Sequence, residues 1–119
     1  MNKVDMVAYF SVGRINHDGK ELDKSFCAYE FGDKSTELND THPDKTLVVI
    51  QLEQILYLVE TIEDRVVHSL FSKVVVLRDL DESVYLALSG NQSSPEAQAV
   101  VSMIINKANE LSLTLRIYK

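Results

Sequence analysis

Thr46-Leu47-Val48-Val49-Ile50 is the stretch whose reading decides how this chain is assembled. On propensity alone these residues suit a short buried strand, being apolar and largely β-branched. They also open a longer pattern in which Val48, Leu52, Ile55, Leu56, Val59, Ile62, Val66 and Leu70 recur every three or four positions. That is the spacing of a helix with one apolar stripe. Glu53, Gln54, Glu60, Thr61, Glu63 and Asp64 fall mostly elsewhere on the wheel.

Read as a strand, the stretch gives residues 46–119 the order β-α-β-β-α-β, a ferredoxin-like arrangement behind an N-terminal hairpin. Read as helix, it gives the whole chain the order β-β-α-β-β-α-β. The helical spacing already begins at Val48, so the second order is preferred. Upstream, two β-rich runs flank His17-Asp18-Gly19-Lys20, and Asp-Gly favours the centre of a type I′ turn. With Asp18 and Gly19 in the turn, Phe10 faces Cys27, Ala8 faces Tyr29, Val12 faces Ser25 and Met6 faces Phe31. These eight share one side of the ribbon, an apolar face. Arg14 and Asp23 meet nearer the turn, while Val7, Tyr9, Ser11, Lys24, Phe26, Ala28 and Glu30 occupy the other side. Residues 32–45 are polar and rich in turn formers and read as a long loop, with Pro43 near a helix start.

Downstream, Val74-Val75-Val76-Leu77 and Val84-Tyr85-Leu86-Ala87-Leu88 read as a second hairpin around Asp79 to Ser83. Ser94 before Pro95, or Ser93 with Glu96, caps a second helix whose stripe is Ala97, Val100, Val101, Ile104, Ala108 and Leu111. Leu113 to Tyr118 alternates as a closing strand. The expected fold is an α+β two-layer sandwich, a mainly antiparallel sheet with two helices on one face. Residues 1–119 are read as one domain.

Composition narrows the function classes. Apolar residues make up 45% and charged residues 25%, the balance of an ordinary globular domain. The single cysteine, Cys27, allows no internal disulfide and no cysteine-based zinc site, which suits a reducing compartment. Net charge is −6. Residues 1–60 hold 6 basic and 11 acidic groups against 6 and 7 in residues 61–119, so the acidity belongs to the first half. No run of Lys or Arg offers a track for phosphates, and nucleic-acid binding through a basic face is therefore not expected. Neither a signal-like apolar core nor a membrane span is legible, and the chain reads as cytoplasmic with no membrane partner.

Four features could carry chemistry. Val74 to Ser83, an apolar strand followed by Asp79-x-Asp81, resembles the nucleophile motif of haloacid-dehalogenase-type phosphotransferases, where the first carboxylate attacks phosphorus and the second acts as acid/base beside magnesium. The resemblance covers about ten residues, Glu82 stands where a small residue is usual, and the 36 residues after Ser83 hold no second strand-end acid pair. An acidic solvated turn explains the string. His17, His42 and His68 have no ligand spacing, and His68 near a helix end suits the helix dipole. Cys27, facing Phe10, reads as a core thiol. Ser89, Gly90, Asn91, Ser93 and Ser94 join a strand to a helix N-terminus, where free N–H groups suit an anion.

Apolar residues off the main stripes remain: Tyr9 and Phe26 on the ribbon's second side, Ile50, Tyr57 and Leu58 on the first helix, Ala99 and Met103 on the second. Exposed apolar patches mark interfaces. The sequence therefore suggests a small self-associating interaction module, a homodimer or protein binder, with no cofactor, metal or catalytic constellation. An anion- or small-ligand-binding domain using residues 89–94 is the first alternative. A small enzyme built from dispersed acids and histidines is the second.

Overall fold

The structure, a computed structural model, describes residues 3–32, 34–62, 70–91 and 93–119. The elements run β1 (Val4–His17), β2 (Lys20–Phe31), β3 (Lys34–Thr41), α1 (Leu47–Ile62), β4 (Phe71–Arg78), α2 (Glu82–Leu88), α3 (Pro95–Glu110) and β5 (Thr114–Ile117). The strands form one five-stranded sheet in the order β3-β2-β1-β4-β5.

The hairpin follows from its turn. Asp18 and Gly19 both have positive φ, 51° and 78°, as a type I′ turn requires. The turn fixes the register, and Met6/Phe31, Ala8/Tyr29, Phe10/Cys27 and Arg14/Asp23 pair as the sequence implies. Met6, Ala8, Phe10, Cys27 and Tyr29 are buried. Val12 is not: it is 42% exposed. Ser11 to Lys24 contains no buried residue, because the ribbon outruns the helices that cover its base.

The ambiguous stretch is helix. α1 begins at Leu47, and the Ile50 N–H donates to the Thr46 carbonyl at 3.0 Å. Its buried set, Val49, Ile50, Gln51, Leu52, Gln54, Ile55, Leu58, Val59 and Ile62, is wider than one stripe. The helix touches β2 and β3 as well as α2 and α3, so it is enclosed from several directions. The part of the expected stripe at Val66, together with His68, lies outside the described residues.

The α+β class holds, and its order is β-β-β-α-β-α-α-β. Residues 34–41, expected as loop, form β3, an edge strand antiparallel to β2. An edge strand with one solvated face can be polar, and only Leu38 of this one reaches the core as a hydrophobic side chain. Residues 82–88, expected partly as strand, form α2: Asp81 caps it, and Val84 and Ala87, three apart, are its buried residues. With that hairpin gone, β4 runs parallel to both β1 and β5. The sheet is thus mixed rather than mainly antiparallel. The apolar run Val74–Leu77 belongs to a strand paired along both edges, by β1 and β5, with Val75 and Leu77 buried, and α2 and α3 supply the crossover that parallel strands need.

One cluster of buried residues joins Ala8 and Phe10 of β1, Cys27 of β2, Val75 and Leu77 of β4, Ile55 of α1, Val84 of α2 and Ile104 of α3. All three helices therefore lie on the face where these strand residues point. Alternation sends Val7, Tyr9, Phe26, Ala28, Val76 and Arg78 to the opposite face, where none is buried. No described helix is long and apolar enough to cross a membrane.

Candidate functional site

β1 is the topological junction of the sheet. It pairs antiparallel with β2 on one side and parallel with β4 on the other, the last parallel pairs being Ala8/Leu77 and Tyr9/Arg78. β4 then ends, Asp79 turning the chain away at φ 57°, while β1 continues. In open sheets ligands settle at such a switch point, outside the carboxyl ends of parallel strands. A shallow groove of about 430 Å³ lies here, lined by Tyr9, Ser11, Phe26, Ala28, Glu37 and Asp79 among others.

Behind the sheet at this level runs a buried polar seam. Ser25 is fully buried, as is Gln51, and Gln54 is nearly so. The Ser25 hydroxyl donates to Gln54 Oε1 at 2.5 Å and accepts from Gln51 Nε2 at 3.2 Å. Gln54 Nε2 donates to the Ser25 carbonyl at 3.0 Å, and Gln51 Oε1 accepts from the Asp81 backbone N–H at 3.2 Å. The seam ties β2, α1 and the start of α2 together with neutral groups only. Buried polar groups persist in a core when each finds a partner, and here they position the turn that follows β4.

That turn holds the two carboxylates of the Asp79-x-Asp81 string. Asp81 is a helix cap, accepting from the Ser83 N–H at 3.2 Å and from the Ser83 hydroxyl. The phosphoryl transfer whose motif this string resembles needs carboxylates that converge on a metal ion. Among the described residues no group of three or more His, Cys, Asp or Glu side chains could hold a metal ion.

The residues singled out in the sequence separate into three places. Ser89 ends α2, its N–H and hydroxyl both donating to the Tyr85 carbonyl. The Gly90 and Asn91 N–H groups donate to Ala87 and Leu86, and Gly90 takes φ 86°. Ser94 caps α3, accepting from the Ala97 N–H at 3.1 Å. Ser93 Oγ is buried with no hydrogen-bond partner among the described residues. The loop's backbone donors at 89–91 are thus taken up within the chain. Ile50 and Leu58 are core residues, 1% and 0% exposed, because α1 buries nearly its whole circumference, so they present no surface. Tyr57 is half exposed beside a smaller groove with Leu38, Asp40 and Glu53. Tyr9 and Phe26 stand together on the open face of the sheet, both near 40% exposed. The Cys27 thiol is pushed up to about 12 by burial, the state of an inert core thiol. His17 lies 3.5 Å from Asp18, and His42 Nδ1 accepts from the Asp44 N–H. The seam itself escaped the sequence reading. Its visible signal was Gln51 and Gln54, polar and three apart inside the most apolar stretch of the chain.

No family model matches this chain, and no curated protein matches it. A solved structure does: that of RNase H1 from the halophilic archaeon Halobacterium salinarum NRC-1, with a TM-score of 0.61 and 16% identity. The likeness covers 97% of this chain and 83% of that one, and it concerns the fold. It corrects two expectations. The likeness to an RNase H1 fold overturns the expectation of a self-associating interaction module with no catalytic constellation, and the expectation of no nucleic acid through a basic face. The lack of a Lys/Arg run fails as an argument because strands bring together cations that are far apart in sequence.

Proposed function

We propose that this chain is a nucleic-acid-handling domain on an RNase H-like scaffold, with the RNA–DNA hybrid as its ligand class. The observation that carries the reading is the RNase H1 likeness, which extends over nearly the whole chain rather than one motif. The junction between β1 and β4 supports it, since the switch point is where such sheets accept ligands. The net charge of −6 sets a condition. Phosphate contacts here must be few and local, so binding weakens with salt by a small logarithmic slope set by their number. The intracellular setting proposed from composition agrees with a lone, buried Cys27.

The test is a titration at low salt of one labelled sequence as RNA–DNA hybrid, DNA duplex and RNA duplex, followed by anisotropy. Tightest binding is expected for the hybrid. Equal, salt-insensitive or absent binding to all three overturns the reading. Resolving the labelled RNA strand on a gel, with and without magnesium, reports in the same samples whether the hybrid is cut.

A further inference from the structure

The face of the sheet that the helices leave uncovered carries an alternation of rings and cations. On β1 Tyr9 pairs across with Arg78 of β4 on one side and Ala28 of β2 on the other. Phe26, two residues before Ala28, is Tyr9's diagonal neighbour, within reach of a large side chain. Lys24 follows on the same side of β2, its Nζ 5.4 Å from the Phe26 ring centre. Beyond Arg78, β5 contributes Arg116, and Tyr118 lies just past the strand with its ring 5.5 Å from the Arg78 guanidinium. Tyr9, Phe26 and Tyr118 are 41%, 39% and 47% exposed.

Two details distinguish this patch from scattered surface residues. Gly13 places bare backbone beneath Phe26: a Cβ there would stand 3.0 Å from the ring's Cε2. The ring is therefore laid against the strand with its outer face open. Second, Lys24, Arg78 and Arg116 make no ion pair among the described residues, as is also true of Lys3, Lys20, Lys34 and Lys73, but here two of the cations stand against open rings, Lys24 by Phe26 and Arg78 by Tyr118. In an acidic protein, three cations left unpaired beside three open rings indicate where an anion with flat apolar parts fits. Two carboxylates share the groove with these rings, Glu37, which pairs across from Ala28 on β3, and Asp79, which follows Arg78, so a phosphate backbone fits only along the side of Lys24, Arg78 and Arg116.

We propose that this open sheet face is a base-stacking platform for single-stranded nucleic acid, with Tyr9 and Phe26 stacking bases and Lys24, Arg78 and Arg116 meeting phosphates. The inference rests on the nucleic-acid reading above and deepens it, because Tyr9, Phe26 and Ala28 also line the groove at the β1–β4 junction. A single strand is the occupant the chemistry selects, because a duplex keeps its base faces stacked internally and cannot offer them to protein rings. A two-fold dimer through the same patch would set the unpaired cations against their own copies, whereas a polyanion meets them with opposite charge.

The experiment is an anisotropy titration with labelled oligothymidylate and, in parallel, the RNA–DNA hybrid. It uses the wild-type chain, Tyr9→Ala, Phe26→Ala and the charge-reversed pair Arg78→Glu/Arg116→Glu, each checked for folding by circular dichroism. Each ring removed is expected to weaken single-strand binding by roughly tenfold. The reversed pair is expected to abolish it, while each lost phosphate contact flattens the salt dependence by about 0.7 in logarithmic slope. Single-strand binding unchanged in all three folded variants overturns the platform. So does hybrid binding by the wild type with no affinity for the single strand, and that outcome leaves the hybrid reading intact. Single-strand binding that depends on the rings, with no hybrid binding, sustains the platform and overturns the hybrid as ligand class. Binding of neither overturns both. Light scattering that shows a dimer broken by the ring variants assigns the face to a second copy and overturns the platform.

Discussion

Ser25 and Phe26 are neighbours on β2, and they live in opposite worlds. The serine hydroxyl is sealed beneath α1 among two glutamines, with no exposure, while the phenyl ring one residue on is 39% exposed. The usual rule is inverted at this level of the sheet: the polar group is inside and the ring outside. The inside is consistent because every hydrogen-bonding atom of the seam that the fold uses has a partner, and satisfied neutral groups carry little burial penalty. The outside has no such internal account. Large rings left on an uncovered face gain only part of what a core position gives, and three of them grouped with cations point to a ligand. The two faces should thus respond oppositely to substitution, the inner one in stability and the outer one in binding.

The largest expected effect is on the inner face. Gln51→Leu fills the same space but leaves the Asp81 N–H and the Ser25 hydroxyl short of a partner. The part-buried Asp81 N–H loses its acceptor while the Ser25 hydroxyl keeps Gln54, a cost of about 1–3 kcal/mol that should appear in chemical denaturation as a lower midpoint with an unchanged slope. If the variant unfolds at the wild-type midpoint, the seam is ornamental and the contrast between the faces collapses.

How far this contrast was legible in the sequence depends on which interaction specified each part. The β1–β2 register was legible because one dipeptide, Asp18-Gly19, sets it and the alternation from Met6 to Phe10 agrees. α1 and α3 were legible from their periods, and α3 also from Ser94-Pro95. β3 was not, since an edge strand draws its stability from backbone pairing along β2 and leaves side-chain identity nearly free. α2 was misread because Val84-Tyr85-Leu86-Ala87-Leu88 has strand propensity. Its cap, Asp81 with Ser83, and the i, i+3 burial of Val84 and Ala87 override that preference. Once α2 is taken for a strand, β4 is assigned an antiparallel partner and the switch point beside Tyr9 disappears from view. The ring-and-cation face needs four strands in register to exist: Tyr9, Phe26, Arg78 and Arg116 are scattered over more than a hundred residues. The polar interruption at Gln51 and Gln54 was visible, but its partner Ser25 lies 26 and 29 residues away.

A second inner-face test uses pH. Burial raises the Cys27 thiol from 9.0 to about 12, so the folded state holds a proton that the unfolded chain releases earlier. The stabilisation is complete below about pH 9 and is lost as pH rises from 9 toward 12, by roughly 1 kcal/mol per pH unit. Cys27→Ala should be somewhat less stable at neutral pH yet lose less stability over that alkaline window, measured by urea midpoints against pH. Parallel wild-type and variant curves would show that the thiol titrates freely and that this part of the core is open to water. In the native state Cys27 should also resist thiol reagents at pH 8 until the chain is unfolded.

A smaller effect is expected at Gly13→Ala, which touches the boundary of the open face. The new methyl would meet the Phe26 ring at 3.0 Å, and the ring must swing away. A ring's outer end can move at modest cost, and a strand gains when glycine is replaced, by up to about 1 kcal/mol. Stability should therefore change little in either direction. The position of Phe26 should change, read as altered ring chemical shifts of Phe26 and of the Lys24 methylenes by NMR. Unmoved shifts would mean that the ring does not rest on Gly13.

The smallest effect on folding belongs to Tyr9→Ala. The side chain is 41% exposed, its strand neighbours Ala28 and Arg78 do not bury it, and surface substitutions away from special features stay within about 0.5 kcal/mol. Its melting temperature should be close to wild type. This near-silence gives the comparison its discriminating power, because Gln51→Leu removes fewer atoms and should cost several times more. A Tyr9→Ala variant destabilised as much as Gln51→Leu would show that something covers the outer face and uses it for folding. Tyr9 would then join Ser25 as a structural residue, and the open rings would cease to indicate a ligand.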